Sequence, residues 1–420
     1  MAETAQAGVA FGALRHAAFR PYFVTTMLSM MGDNVEHVIT YWVIFQTFHS
    51  PTLAGFAVVS HWAPFLLFAV WIGGLSDRFD CRKIVQISQV AFIAVSLGWA
   101  TLFLTGRLET WHAMVLLVVH GFAGALWAPA SQLIIHDVVG TENLQSGVRL
   151  SATARQLGIL CGPAVGGALL LFLGPAYGLI ANSVLYLPLT LWLLTVPYTG
   201  HLRESVAATA APLTIADALQ TFREVSGNRA IFVMVALAGL TSLFVGNAFY
   251  AQMPEFASGF SSNQGEVGYA VLLTANAAGA VIGGFLLETS TFFRRPRVRT
   301  AVALAVVWSL AIIVFAAAPA YLLAVAALFI AGVLNLAFSS MAQTLVQLEA
   351  PPNRRGRVIG LFNMSQNGLR VGSGVTVGVL GAAIGVHLSL ALSAAALLAL
   401  GLALLVYADA PRRALAAQGG

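Results

Sequence analysis

Apolar segments of roughly 20 residues recur along this chain from end to end, and that is the length a helix needs to cross a hydrocarbon core of about 30 Å. In such a solvent every backbone amide must be satisfied internally, so segments of this length read as membrane-spanning helices. The rest of the composition agrees. Of 420 residues, 59% are apolar and only 9% charged, whereas a soluble domain carries about 25% charged residues. The segments predict twelve transmembrane helices over 20–46, 53–75, 84–105, 112–134, 148–173, 176–197, 230–253, 267–289, 300–318, 320–346, 358–380 and 383–407. The expected fold class is an all-α membrane protein of two pseudo-symmetric six-helix bundles. The polar, basic stretch Met1–Arg20 has no small-residue cleavage site and reads as part of the mature chain.

A constant shift lays the second half of the chain on the first. Gly121 falls on Gly332, Trp127 on Phe338, Gln132 on Gln343 and Gly167 on Gly378, while Gly73-Gly74-Leu75-Ser76-Asp77 falls on Gly284-Phe285-Leu286-Leu287-Glu288. Parallel repeats of this kind imply a pseudo-two-fold axis along the membrane normal and a substrate site near the midplane between the halves. The expected division is therefore a bundle over 1–197, a linker over 198–229 and a second bundle over 230–420. Tyr198–Arg229, with a short amphipathic run around Leu213–Val225, supplies the linker.

With a cytoplasmic N-terminus, all of the 21 Lys and Arg residues except Arg107, Arg155 and Arg370 fall on the inner side, as the positive-inside rule requires. Both termini are then cytoplasmic, and the net charge of +5 reflects loops facing anionic lipid. No nucleic-acid partner is implied. Cys81 and Cys161 make no disulfide framework. The chain also has no Gly-x-x-x-x-Gly-Lys-Ser/Thr phosphate loop, which argues against an ATP-driven pump. No catalytic domain or cofactor motif is apparent, so the chain does not read as an enzyme.

Ionisable groups inside a span are functional candidates by default. In Gly32-Asp33-Asn34-Val35-Glu36-His37, the residues Asp33, Glu36, His37 and Thr40 follow i, i+3, i+4, i+7 spacing and share one helical face. Two carboxylates and an imidazole in low dielectric form a coupled set suited to reversible protonation. The same set, through Asp33 and His37, also offers ligands for a hard divalent cation, and a structural hydrogen-bond network is the third reading. The repeat places Asn247, with Tyr250 close by, opposite Glu36, so the second half contributes polar uncharged groups. Arg155 and Arg370 are guanidiniums within spans, and each needs a carboxylate or a substrate anion. Arg155 reads as a structural or gating residue. Arg370 lies deeper, where contact with substrate, gating and structure all remain open. Trp42, Trp62, Trp127 and Tyr250 fit the lining of an amphipathic cavity or ordinary packing.

Two motifs carry a family resemblance. The segment Gly73-Gly-Leu-Ser-Asp77-Arg78-Phe79-Asp80-Cys81-Arg82-Lys83 resembles the loop signature of the major facilitator superfamily, with Asp80 and Cys81 where Gly and Arg are usual. An Asp at the former place is frequent in the efflux branch that includes the enterobactin and macrolide exporters. Gly158-Ile-Leu-Cys-Gly162-Pro163-Ala-Val-Gly166-Gly167 is similar to the family's antiporter signature. Its four-residue glycine spacing offers a flat stripe to a neighbouring helix. The family's basic residue early in helix 4 is missing, and Leu117 and His120 occupy that neighbourhood.

The resemblance implies alternating access and secondary active transport without a cofactor, in a bacterial inner membrane, with a monomer sufficing. It points to proton-coupled export of an amphipathic organic small molecule, with protons and membrane lipids as the other partners. Gly73, Asp77, Arg78, Arg82 and Glu288 would then form paired cytoplasmic latches, and Arg155, Gly158, Gly162, Pro163 and Gly166 would act in gating. The spacing of Gly32, Asp33 and His37 also resembles the first helix of the ferroportin branch, which implies a divalent-metal exporter as the alternative.

Overall fold

The computed structural model describes residues 11–201, 219, 223, 226–260, 265–289, 297–351 and 355–409, and among them it contains helices and no strand. Most of the expected linker 198–229, including nearly all of Leu213–Val225, lies outside the described residues. For Gly73, Asp77 and Glu288 only the backbone is described, and it is helical.

The first elements are α1 (Phe19–Phe48), α2 (Pro51–Leu67), α3 (Ala69–Arg78), α4 (Cys81–Leu104) and α5 (Thr110–Thr195). The long α5 is three helical arms, because Gly140 and Gly174 have φ of 70° and 73°. Only glycine adopts that backbone readily. The later elements are α6 (Arg229–Phe244), α7 (Ala248–Ser258), α8 (Gly265–Thr289), α9 (Val298–Ala316), α10 (Tyr321–Glu349), α11 (355–384) and α12 (Val386–Asp409). Within α11, Met364–Gly368 and Gly374–Val379 are wound as π-helix, with Arg370–Ser373 between them in α-helical form.

Among the described residues, eight helices are long and apolar enough to cross a membrane. The equally long α1 carries two carboxylates and an imidazole at its centre. Large apolar side chains face outward from the spans, such as Phe172 at 85% exposure and Leu322 at 79%. Hydrocarbon is the solvent in which such a surface carries no penalty. The chain packs into two compact units, one of Met1–Val43 with Pro64–Pro212 and the other of Ile44–Ala63 with Leu213–Gly420.

Helix starts follow the sequence. Asn228 caps α6 by accepting hydrogen bonds from the amides of Ala230 at 3.0 Å and Ile231 at 3.3 Å. Asp80 caps α4 through the Arg82 amide at 2.9 Å, and the Arg82 side chain returns an ion pair at 2.8 Å while donating to the Val196 carbonyl at 2.6 Å. Arg82 thus ties the start of α4 to the end of α5. Burial pushes the Asp80 carboxyl up, but the side-chain and backbone hydrogen bonds from Arg82 outweigh it and hold the group below its ordinary value. A lowered folded value means that this stabilisation is present above the ordinary carboxylate range and is lost as pH falls through the folded value. Replacing Asp80 with Ala is therefore expected to lower stability at neutral pH by about 1 kcal/mol, a typical cap contribution. Thermal melts of the two proteins should converge in acid. An unchanged melting temperature at neutral pH would show that the cap does not stabilise the fold.

Candidate functional site

In α1 the residues Asp33, Glu36, His37 and Thr40 project from one flank, as their spacing requires, and the first unit closes over that flank with α4 and α5. His120, from the first arm of α5, sits between the two carboxylates. Its Nε2 lies 2.9 Å from Asp33 Oδ1 and its Nδ1 lies 2.7 Å from Glu36 Oε1. Ser96 of α4 donates a short hydrogen bond to Glu36 Oε2, Asn182 donates to Ser96 Oγ at 3.2 Å, and Tyr186 OH donates to Glu36 Oε2 at 3.5 Å. The Phe92 ring lies edge-on to His120 at 4.9 Å and stacks on Tyr186 at 5.2 Å.

The two carboxylates therefore differ. Glu36 is 2% exposed and held on both oxygens, whereas the Asp33 side chain is 15% exposed. His37 turns its Nδ1 to the Asp33 carbonyl at 2.7 Å, with Asp33 Oδ1 at 4.0 Å, and its ring meets that of His120 at 4.8 Å. One ligand-type atom each of Asp33, His37 and His120 lies within 4.8 Å of the other two, so the group has the residue types for a cation as well as for a proton.

His120 is the centre of this arrangement, although in the sequence it appeared only as a substitute for a missing basic residue. Ser96, Asn182 and Tyr186 carried no sequence signal, because a lone Ser, Asn or Tyr in an apolar helix looks the same whether or not a carboxylate faces it.

The glycine stripe on the middle arm of α5 packs on the helix that carries the carboxylates. A Cβ at Gly158 would stand 2.6 Å from the Met27 carbonyl oxygen, one at Gly162 would overlap Asn34 Cβ, and one at Gly166 would be 3.0 Å from Val38 Cβ. Pro163 lies inside this arm, and the backbone departs from helix only at Gly140 and Gly174. Gly162→Val is expected to destabilise the protein by about 1–3 kcal/mol through overpacking. A thermal shift in detergent measures it, and a wild-type melting temperature would mean that α1 moves aside freely. Arg155, on the same arm, is half-buried, and no ion pair is formed with it among the described residues. Arg78 is exposed at the end of α3.

In the second unit Asn247 stands at the break between α6 and α7, where Gly246 has φ of 46° and the Ser373 side chain occupies the space a Cβ would need. Tyr250 OH donates to Asn276 Oδ1 at 2.5 Å, and Asn276 Nδ2 donates to the Leu328 carbonyl at 3.1 Å. Arg370 donates from Nε to the Gln366 carbonyl at 3.1 Å, and its guanidinium lies 4.6 Å from the centroid of the Trp62 ring. Asn247, Tyr250 and Arg370 are all half-buried.

The chain as a whole matches a known family. The profile described as Major Facilitator Superfamily matches residues 22–373. The chain is 27% identical over 410 residues to the enterobactin exporter EntS of Salmonella typhimurium, covering 95% of this chain and 94% of that one. It is 28% identical over 409 residues to EntS of Citrobacter koseri, covering 95% and 93%. Among solved structures, the nucleoside transporter NupG superposes with a TM-score of 0.73 at 16% identity, covering 94% of this chain and 100% of NupG. A D-xylose–proton symporter superposes with a TM-score of 0.65 at 16% identity, covering 94% and 97%. A family profile spanning most of the residues, relatives aligned nearly end to end and one shared fold lead to a single conclusion: this chain belongs to the major facilitator superfamily of membrane transporters.

Proposed function

We propose that the chain is a secondary active exporter of a bacterial inner membrane, moving an amphipathic organic small molecule out of the cytoplasm against an inward flow of protons. The observation that carries the proton coupling is the bridge at His120. Both ring nitrogens face carboxylate oxygens, at 2.9 and 2.7 Å, and a neutral imidazole has a single N–H. All three groups are satisfied only when a further proton sits on the second ring nitrogen or on one of the carboxyls. The closed network therefore includes a proton that a transport cycle can load and release, and the partly exposed Asp33 is its side of exchange. Export is supported by the relatives named as enterobactin exporters and by the glycine signature of α5. Those relatives lend no support to divalent-metal export.

In this reading the helices over 1–197 and 230–420 rock about a midplane site, the linker 198–229 is cytoplasmic, and Asp77 and Glu288 close the cytoplasmic corners. Reporter fusions at Gly106 and Gly265 are expected to read periplasmic, and fusions at Asp80 and Gly356 cytoplasmic. A cytoplasmic signal at Gly265 would break both the orientation and the span count.

The mechanism is tested in proteoliposomes with an imposed pH gradient, using enterobactin first and amphipathic cationic dyes in parallel. Accumulation that stops when the gradient is collapsed is the expected result. Accumulation indifferent to the gradient overturns proton coupling, and accumulation of Mn²⁺ or Fe²⁺ in place of organic compounds selects the metal reading.

A further inference from the structure

A guanidinium inside a membrane protein needs a counter-charge, since leaving it unpaired in low dielectric is strongly unfavourable. Arg370 has none among the described residues. Its Nε is used by the Gln366 carbonyl, and among the described residues no ion pair includes it and its remaining N–H groups make no other hydrogen bond. The Tyr250 phenol interacts with it electrostatically, but that phenol is a neutral donor already committed to Asn276.

The fold holds this arginine in place. Two π-helical turns flank Arg370–Ser373, and such turns concentrate at functional positions. Immediately beyond, α2 and α11 meet at bare backbone: a Cβ on Gly55 would stand 2.5 Å from the Gly374 carbonyl oxygen and 2.8 Å from Gly378 Cα. Two turns along α2 from that contact and one turn back along α11, Trp62 lies over the guanidinium. The guanidinium carbon lies over the Trp62 ring, so an aromatic face covers one side of the fork. A fork held in this way suits a planar, two-oxygen anion. The aromatic rings at Trp62 and Tyr250 suit a flat, conjugated body attached to it.

From this we infer that Arg370 and Trp62 form the anion-recognising part of the substrate site, and that the substrate class is an aromatic organic anion of carboxylate type. The inference rests on the exporter reading and narrows its substrate. It also gives the two units different tasks, since the carboxylates of α1 would handle protons while the arginine of α11 holds the negative end of the cargo.

The test is equilibrium binding to the purified full-length protein in detergent, without a pH gradient. The probes are 4-nitrobenzoate and its neutral isostere 4-nitrobenzamide, both of which quench tryptophan fluorescence. Wild-type protein is expected to prefer the carboxylate by about tenfold or more, the scale of a charge-assisted hydrogen-bonded pair. Arg370→Gln should abolish the preference by weakening the carboxylate alone. Arg370→Lys keeps the charge but not the fork, and should weaken it by about threefold. Trp62→Phe should reduce the quenching amplitude. Excess sodium sulfate should fail to displace the nitrobenzoate. Gel filtration and thermal melts identify any variant that fails to fold, and either arginine variant suffices for the comparison.

Equal affinity for the two probes, no detectable nitrobenzoate binding to folded wild-type protein, unchanged affinity in the arginine variants, or displacement by sulfate would each overturn the proposal. None of these results depends on proton coupling, so this inference and the proton-driven mechanism can fail separately.

Discussion

Asp33→Asn is expected to abolish accumulation driven by a pH gradient, by about tenfold or more, while leaving downhill exchange of substrate in place; general acid–base groups typically contribute at least that much. The reason lies in the hydrogen-bond inventory around His120. With both carboxylates ionised and a neutral ring, one ring nitrogen would aim a lone pair at a carboxylate oxygen 2.9 or 2.7 Å away, so the wild-type network calls for one more proton. An Asn at position 33 removes that demand. Its amide donates to Nε2, the ring donates from Nδ1 to Glu36, and the network closes without a further proton. Glu36→Gln closes it from the other side and should uncouple transport in the same direction. Initial rates in proteoliposomes with and without a gradient separate drive from passage. Full gradient-driven accumulation by the Asp33→Asn, Glu36→Gln double variant would show that the cluster is scaffold.

The second large effect is on stability. Glu36→Leu would remove at once the acceptor of Ser96 and Tyr186 and one partner of His120, all of them buried. Removing one member of a buried ionic network costs about 3–5 kcal/mol, because the groups left behind stay desolvated without partners. The Leu variant is therefore expected to accumulate poorly in the membrane and to melt at a clearly lower temperature in detergent. Glu36→Gln, which keeps an acceptor for Ser96 and Tyr186, should melt close to wild type even as it loses coupling. Equal melting of the Leu variant and wild type would mean that the network does not hold the first unit together.

Those two outcomes also mark how far the sequence could be read. The common face of Asp33, Glu36 and His37 followed from helical spacing, since all three lie on one regular helix. The role of His120 did not, because it depends on how α5 packs against α1, and periodicity within one segment carries no information about a partner in another. His37 shows the same limit from the other side: its position on the face was legible, but its ring turns to a backbone carbonyl and leaves the bridge to His120. The positive-φ glycines Gly106, Gly140 and Gly174 fall between expected spans, and the expected span 230–253 lies within one apolar stretch, Arg229–Ser258. The local break at Gly246 between α6 and α7 was not legible, because a glycine in an apolar run looks the same whether its backbone is helical or left-handed. The contact between Arg370 and Trp62 was hidden as well, because the π turns of α11 put residues out of the phase that an α-helical wheel assumes.

Those wide turns have a geometric consequence. In a crystal, an extra half-plane of atoms is a dislocation. A π turn is the same kind of fault in a helix: one surplus residue, which rotates everything beyond it by about 100° relative to α winding. The four residues Arg370–Ser373 lie between the two faults of α11, so the face they present is offset from the faces before and after them, and Arg370 points where continuous α winding would have put a different residue.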